Sequence, residues 1–291
     1  MDGEIARTLR RAAQDASISK EDRFWAIDTL AFFALERESL DEVERHLRTM
    51  RALLPRDVPP RMAAAIDGKR MLVAGARKDW KKAEAIAGKA LGRLQVDAEA
   101  HRIFRYNFAR VLYKRGHYAR AAKLTEDLAL EYFDVLNLDP SDLVGKNPHE
   151  IPELLPPSWS ADDVKHLADA LDLFAHCRRP MGDPVGFSSL HASKLFVVAS
   201  AIGSAVRVGL DAARDYAEGR HTGRPDPVGA VMLLEHVVLP FIAHERLVGH
   251  VLEARALYVD LLESVGRVDD ARMERARLAP YVRALGDRPA K

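Results

Sequence analysis

The chain has 291 residues, 48% of them apolar and 30% charged, and its net charge is +1. This composition is ordinary for a globular protein with enough material for a buried core. The single cysteine, Cys177, excludes an intramolecular disulfide and a four-cysteine zinc site, and it favours a cytosolic compartment. The charged N-terminal stretch lacks the apolar segment of a signal peptide, so none is expected.

Helical periodicity dominates the first 133 residues, and alternating strand patterns are almost absent. Only a few residues separate consecutive helical stretches, which predicts antiparallel neighbours. The three predicted helix pairs are 22–38 with 40–54, 61–77 with 80–94, and 98–115 with 118–133.

Five prolines interrupt the pattern between residues 133 and 159, and they predict a long loop or strap between two helical halves. A helix is expected to restart at Ser160, whose hydroxyl can cap it, and to end near Cys177. Residues 178–187, rich in proline and glycine, predict a second interruption.

The remaining chain also reads as helical. One long helix is expected over 188–218, and its apolar part, 195–210, is too short for a membrane span, which needs roughly 20 residues. Asp226 followed by Pro227 predicts a helix start, with a kink at Pro240 before the helix ends near 248. Two more helices are expected over 251–265 and 268–285.

Three turns share one register along the N-terminal half. They read ESLDEV, KDWKKA and GHYARA, at spacings of 40 and 38 residues. In each turn a bulky apolar residue is followed three positions later by Val43, Ala83 or Ala121, which predicts close approach of two helices there. The same turn pattern is expected in the stretches that begin at Gly249 and Gly266.

These residues resemble the tetratricopeptide-repeat family. The signature positions are occupied in order by Phe108, Ala109, Leu112, Gly116, Tyr118 and Ala121, with partial matches at Leu30, Ala31, Ala34, Leu40, Pro55, Trp80, Ala83 and Ala90. The resemblance covers about 22–133, with an echo at 245–285. It implies an all-α fold, a TPR-like α-solenoid of antiparallel helix pairs. The expected organisation is repeats over 1–133, a proline-rich acidic strap over 134–159, and a C-terminal helical half over 160–291 that packs on the repeats or continues them.

In this family the first helix of each pair lines a concave groove that binds peptides. Carried over position by position, the resemblance implies binding residues on three helices: Trp25, Asp28, Phe32, Lys69, Leu72, Tyr106, Asn107, Arg110, Tyr113 and Lys114. Arg110 and Lys114 lie one turn apart and can pair with a carboxylate, and Asn107 can hydrogen-bond a peptide backbone. The expected function is a non-enzymatic adaptor for an acidic or C-terminal segment of another protein, without a cofactor, metal or membrane.

Charge is distributed unevenly, which leaves a nucleic-acid-binding alternative open. Residues 61–123 carry 16 basic and 5 acidic side chains, whereas 124–164 carry 1 basic and 10 acidic. Such a basic block suits phosphates, although no nucleic-acid motif is present, and the acidic segment can equally neutralise it.

The sequence gives less support to an enzymatic function than to a binding function. Arg214 and His221 have the arginine–six residues–histidine spacing of a family of helical ribonucleases, but Arg110 and His117 share it by chance. The pairs Glu235-His236 and His244-Glu245 lack the further ligands that a metal site needs. Cys177 is expected to be a buried structural residue.

Overall fold

The computed structural model describes residues 3–94, 97–220, 223–241 and 248–286. These residues form thirteen α-helices with short 3₁₀ and π segments, and no strand. The predicted all-α class is therefore confirmed. No helix in this part of the chain is long and apolar enough to cross a membrane. The chain divides into two compact units, Met1–Leu124 and Thr125–Lys291, and the boundary falls inside one helix.

The first unit contains six complete helices and the start of a seventh. They are α1 (Gly3–Gln14), α2 (Lys20–Glu36), α3 (Leu40–Leu53), α4 (Pro60–Ala76), α5 (Trp80–Leu94), α6 (Ala98–Lys114) and α7 (Tyr118–Val135). α2 packs on α3 and α4 packs on α5, as the short connections predict. The first helices of consecutive pairs also touch, α2 with α4 and α4 with α6. This stacking of helix pairs is the solenoid-like arrangement expected from the sequence.

One backbone turn recurs between paired helices. Glu38, Lys78 and Gly116 adopt positive φ of 57°, 61° and 84°. At each turn the next residue's N–H reaches back five positions to a carbonyl, as in Ser39 to Ala34 and His117 to Leu112, both 2.9 Å. This Schellman geometry caps the exposed carbonyls of the preceding helix. The predicted register is confirmed, although two of its three turns place a non-glycine residue in the left-handed region.

Side-chain packing beside these turns follows the same register. Val43, Ala83 and Ala121 are all fully buried, as expected for positions where helices approach closely. Trp80 lies over Gly75, where an added Cβ would sit 3.5 Å from the indole ring. At the second turn a bulky residue therefore packs over a small one, and the buried Ala83 three positions later lets the paired helices approach closely.

The helix α1 was not anticipated from the sequence. It packs against α2, and its half-buried positions Ala6, Leu9, Ala12 and Ala13 recur at helical spacing. That weak stripe of small residues was the available signal, and the many charges around it obscured it.

The second unit contains the end of α7 and six further α-helices. They are α8 (Ala161–Arg178), α9 (Gly186–Val198), α10 (Ile202–Ala217), α11 (Pro227–Leu233), α12 (Val248–Ser264) and α13 (Val268–Gly286). Consecutive helices pack on each other from α8 to α13, around a core supplied mainly by α10, α11 and α12.

Buried side chains of the proline-rich strap anchor it in the second unit. Short 3₁₀ turns form at Pro140–Leu143 and Ile151–Leu154, and Leu143 and Ile151 are fully buried. The buried His191 of α9 places its Nε2 atom 3.1 Å from the carbonyl oxygen of Leu143. The predicted loop thus forms part of the core of the second unit.

Two predictions in the second unit are wrong. The single helix expected over 188–218 is a helical hairpin, because Ser200 adopts a φ of 57° and Ala201 donates its N–H to the carbonyl of Phe196 at 2.8 Å. The two helices cross closely at Gly209, where a Cβ would lie 2.8 Å from the Oγ atom of Ser193. Gly249 lies inside α12 rather than in a turn, whereas Gly266, with a φ of 82°, does form the turn before α13.

The helix expected over 226–248 begins as predicted, but its α-helical hydrogen bonding does not continue to the expected end. Asp226 caps it by accepting a 2.8 Å hydrogen bond from the N–H of Gly229. The α-helical pattern gives way to a π segment, Leu234–Val238, and a 3₁₀ turn, Leu239–Phe241, that contains Pro240. Since proline has no N–H to donate, the α-helical ladder does not continue through it. Residues 242–247, through which the helix was expected to continue to about 248, lie outside the described residues.

Candidate functional site: an apolar groove across α2, α4 and α6

A concavity of about 460 Å³ crosses the first helices of three consecutive pairs in the first unit. We call it the apolar groove. Its lining comprises Trp25, Asp28, Phe32 and Leu35 of α2, Arg61, Ala64, Ala65, Gly68, Lys69 and Leu72 of α4, and Glu99, Ala100, Ile103, Phe104 and Asn107 of α6. The groove lies where the repeat resemblance implied a binding surface.

Six of the ten residues implied by the resemblance lie together in this groove. They are Trp25, Asp28, Phe32, Lys69, Leu72 and Asn107. The placement of these side chains on one surface follows from stacking α2, α4 and α6 side by side. Their role in binding remains a prediction.

The other four implied residues, Tyr106, Arg110, Tyr113 and Lys114, do not line the groove. Arg110 and Lys114 lie about one and two helical turns beyond Asn107 toward the end of α6. Tyr113 packs instead against Tyr118 at the turn, with ring centroids 5.7 Å apart. The carboxylate-binding pair expected from the sequence is therefore outside the cavity.

The depth of the groove comes from small residues on its floor. α4 contributes Ala64, Ala65 and Gly68, and an added Cβ at Gly68 would stand 3.9 Å from the ring of Phe104. Larger side chains at these helix positions would fill the space between α2 and α6. Small residues therefore keep open a cavity that the stacked helices would otherwise close.

The walls of the groove are apolar and accessible. Phe32 is 45% exposed and Ile103 is 38% exposed, although both are large hydrophobic side chains. Trp25 and Leu72 are half-buried beside them. Grouped apolar side chains that remain open to water in one concavity are typical of binding surfaces, whereas scattered ones are not.

The cations of the groove are paired with carboxylates in or beside it. Lys69, only 9% exposed, forms an ion pair with Asp28. At one end Arg61 binds Asp97 at 2.6 Å and Glu99 at 2.7 Å. The N–H of Ala100 and then Arg61 lower the pKa of Asp97, so this carboxylate stays ionised. Each cation of the groove thus already has a carboxylate partner.

Many cations of the basic block are neutralised within the same unit. Arg77 binds Glu44 at 2.5 Å, and Arg115 and Arg120 bind Glu84 at 2.8 and 3.1 Å. These ion pairs neutralise part of the positive charge that the sequence concentrates in residues 61–123.

The enzymatic candidates find little geometric support. Cys177 is fully buried, as expected, and burial raises the pKa of its thiol to about 12, so it is not a thiolate nucleophile near neutral pH. Arg214 is engaged by Glu253 and by Asp211, and His221 lies outside the described residues.

Glu235 is likewise engaged, by Tyr258 at 2.5 Å and Arg267 at 2.8 Å. His244 and Glu245 lie outside the described residues. Within the described ranges no group of three or more histidine, cysteine or acidic residues is placed to hold a metal ion.

Sequence reasoning missed the residues that give the groove its depth and its apolar wall. Ile103 and Phe104 belong to a stripe, 100, 103, 104 and 107, that has helical spacing and identifies one face of α6. The tyrosines and cations of α6 that the sequence suggested lie on other faces of the helix or beyond the groove. No family model matches the chain, and no curated protein matches it either.

Proposed function

We propose that the first unit is a tetratricopeptide-like protein-interaction scaffold and that its apolar groove binds a segment of another polypeptide. The observation that supports this most is the exposure of Phe32 and Ile103 on the walls of one cavity, above a floor of alanine and glycine. Burying such side chains against a partner is worth about 25 cal/mol per Å² of apolar surface.

The chemistry of the groove favours a ligand that inserts apolar side chains. Lys69 and Arg61 already hold carboxylates, so an acidic ligand would compete with Asp28, or with Asp97 and Glu99. Asn107 supplies an amide that can donate to and accept from a peptide backbone. The bound segment is therefore recognised mainly by its large apolar residues, with one polar contact that fixes its orientation.

The role that follows is that of a non-catalytic adaptor. The groove lies on helices held rigidly by the turns at Glu38 and Lys78, so little ordering accompanies binding. With a single cysteine that is buried, a cytoplasmic location fits this role.

Selection of peptides from a random phage-displayed library tests the proposal without a known partner. We expect enrichment of peptides with two or more large apolar residues, and we expect the double variant Phe32→Ser/Ile103→Ser to weaken their binding by about tenfold or more. Both positions are partly exposed, so the thermal stability of the variant should change little.

A matched control removes exposed apolar side chains elsewhere in the same unit. Ile5→Ser/Val58→Ser replaces residues that are 50% and 41% exposed and lie outside the groove, and it should leave peptide binding unchanged. Equal loss in both double variants, or no peptide that depends on Phe32 and Ile103, contradicts the proposal.

The variant Arg110→Glu/Lys114→Glu tests whether an acidic ligand binds at the end of α6, as the sequence predicts. Because neither residue lines the groove, we expect apolar peptides to bind this variant as they bind the wild type. Loss of binding here, with retention in Phe32→Ser/Ile103→Ser, would move the site to the C-terminal end of α6.

A further inference from the structure

A second concave surface lies on the other side of α4. Two adjoining concavities of about 530 and 330 Å³ share Arg70 and Lys82, and together we call them the basic cleft. Its cations are Arg48, Arg51, Arg70, Arg77, Lys82, Lys89 and Arg93, and its carboxylates are Glu44, Asp67 and Asp79. Four positive charges are thus in excess within one cleft of the first unit.

The basic cleft and the apolar groove use opposite faces of α4. Gly68 lies on the floor of the groove, whereas Arg70 lies in the cleft, and two residues correspond to about 200° around a helix axis. Occupation of one surface therefore leaves the other accessible, so the cleft can bind a ligand independently of the apolar groove.

The cations are arranged along the helices in a regular way. On α5, Lys82, Lys89 and Arg93 are separated by seven and four residues, so they share one face and span about 16 Å. Arg48 and Arg51 lie one turn apart on α3 and form the facing wall. Because one strand of a duplex carries a phosphate about every 3.4 Å, this length matches several consecutive phosphates.

The carboxylates in the cleft form ion pairs with some of its cations, and the other cations remain available to a ligand. Asp67 holds Arg70 at 3.1 Å and also pairs with Arg93, while Glu44 holds Arg77 at 2.5 Å. Arg77, with Arg48 and Lys82 nearby, lowers the pKa of Glu44, which shows how closely these cations surround it. Arg48, Arg51, Lys82 and Lys89 are exposed and form no ion pair with a carboxylate of the described residues.

Apart from its cations, the accessible part of the cleft presents few side chains that could contact a ligand. Its larger apolar residues, Leu47, Val73 and Ile86, are buried beneath the cations, so an acidic polypeptide would find no pocket for an anchoring side chain. None of its lining residues is aromatic, so unpaired bases have no ring on which to stack. Two of the four cations that form no ion pair with a described carboxylate are arginines, Arg48 and Arg51, whose planar fork suits phosphate oxygens.

From this arrangement we infer that the basic cleft binds the sugar–phosphate backbone of double-stranded nucleic acid without reading its sequence. The cleft uses five cations of the basic block 61–123, Arg70, Arg77, Lys82, Lys89 and Arg93, and it adds Arg48 and Arg51 of α3. It lies on α3, α4 and α5, where the ligand contacts fixed rows of cations rather than a run of basic residues.

Fluorescence anisotropy with the full chain and a labelled DNA duplex tests this inference. The triple variant Arg51→Glu/Lys82→Glu/Lys89→Glu changes only exposed residues of the cleft, and we expect it to lower affinity by at least about tenfold. For every phosphate that the variant no longer neutralises, the slope of log K against log salt should become shallower by about 0.9, measured between about 50 and about 200 mM salt.

A control of equal charge is Arg11→Glu/Lys20→Glu/Arg56→Glu, which alters exposed cations of the same unit outside the cleft. It should bind with nearly wild-type affinity and slope, and duplexes of unrelated sequence should bind alike. Equal weakening by both triple variants, or no weakening by the cleft variant, overturns the inference. Tighter binding of a poly-glutamate peptide than of the duplex overturns it as well and assigns the cleft to acidic polypeptides.

Discussion

Among single residues, His176 shows how a half-buried pair couples protonation to stability. Its Nδ1 atom lies 3.2 Å from the carboxylate of Asp172, which also binds Arg207 of α10 at 2.8 Å. The Asp172 carboxylate raises the pKa of His176 and outweighs the opposing effect of burial. The protonated imidazole therefore helps to hold Asp172 in place between α8 and α10.

The pH dependence of this pair has a defined sign. A histidine whose pKa is raised in the folded state stabilises the fold at low pH, and the contribution is lost as pH rises through the folded pKa, above about 6.5. We expect His176→Gln to lower the free energy of unfolding below about pH 6 by at most about 1 kcal/mol, and to have little effect above about pH 8. Urea denaturation across pH measures this, with the exposed His149→Gln as the control. A cost that grows with pH would contradict the assignment.

The left-handed residues at the turns allow a stabilising change. Glu38 and Lys78 occupy the position that Gly116 occupies in the third turn, and a side chain there is strained. We expect Glu38→Gly and Lys78→Gly each to stabilise the first unit by about 0.5 kcal/mol, after the added freedom of the unfolded chain is subtracted.

Fluorescence of Trp25 and Trp80 during urea unfolding measures that effect. Glu36→Gly, two residues earlier and still helical, should instead destabilise by up to about 1 kcal/mol. If Glu38→Gly and Glu36→Gly lower the free energy of unfolding alike, the left-handed backbone at position 38 does not favour glycine.

Between elements, a buried ion pair joins the second interruption to α10. Arg179 donates to both oxygens of Asp215, at 2.6 and 3.0 Å, and Ser189 of α9 donates to the same carboxylate at 3.2 Å. Asp215 is 1% exposed, so its charge depends on these partners. The pair therefore connects the short 3₁₀ turn Arg179–Met181, which follows α8, with α9 and α10.

Breaking the pair on one side should be costly. We expect Arg179→Met to lower the free energy of unfolding of the second unit by about 3 kcal/mol, because it leaves a buried carboxylate without its main partner. Replacing both partners, in Arg179→Met/Asp215→Leu, should recover most of that loss. Chemical denaturation followed by Trp159 fluorescence measures both, and an equal loss in the single and double variants would show that packing rather than charge matters.

The helices were predictable where side chains mark their ends. Asp97 and Ser160 accept hydrogen bonds from backbone N–H groups three residues later, at 3.0 and 3.1 Å, and the helices begin there as expected. The hairpin between α9 and α10 was missed because Ser200 makes a turn that glycine usually makes. Such a turn is fixed by the packing of Gly209 against α9, which the sequence does not display.

The candidate site was predictable only in part for a similar reason. Helical spacing and the repeat resemblance identified the face of α2 and α4 that carries Trp25, Phe32 and Leu72. The depth of the groove and the pairing of Lys69 with Asp28 depend on how three helices lie side by side. The sequence reasoning therefore located the surface and expected a more acidic ligand than the groove favours.

For the molecule as a whole, two compact units have different designs. The first stacks helix pairs with recurring turns and carries two concave surfaces of opposite chemistry on α4. The second closes a hydrophobic core around α10, α11 and α12 and incorporates the proline-rich strap. Ligand binding is proposed for the first unit alone. Substitutions that abolish peptide binding in the groove should therefore leave the free energy of unfolding of the second unit unchanged.

Site-specific photo-crosslinking reports whether a bound peptide lies in the apolar groove. A photoreactive phenylalanine analogue replaces Ile103 in the groove or, as the control, Val58 outside it; both side chains are about 40% exposed. With a peptide from the phage selection, the account predicts crosslinks at position 103, none at 58, and loss of the crosslink when Phe32→Ser is added. Crosslinking at 58 but not at 103, or crosslinking at 103 that Phe32→Ser leaves unchanged, would contradict binding in the apolar groove.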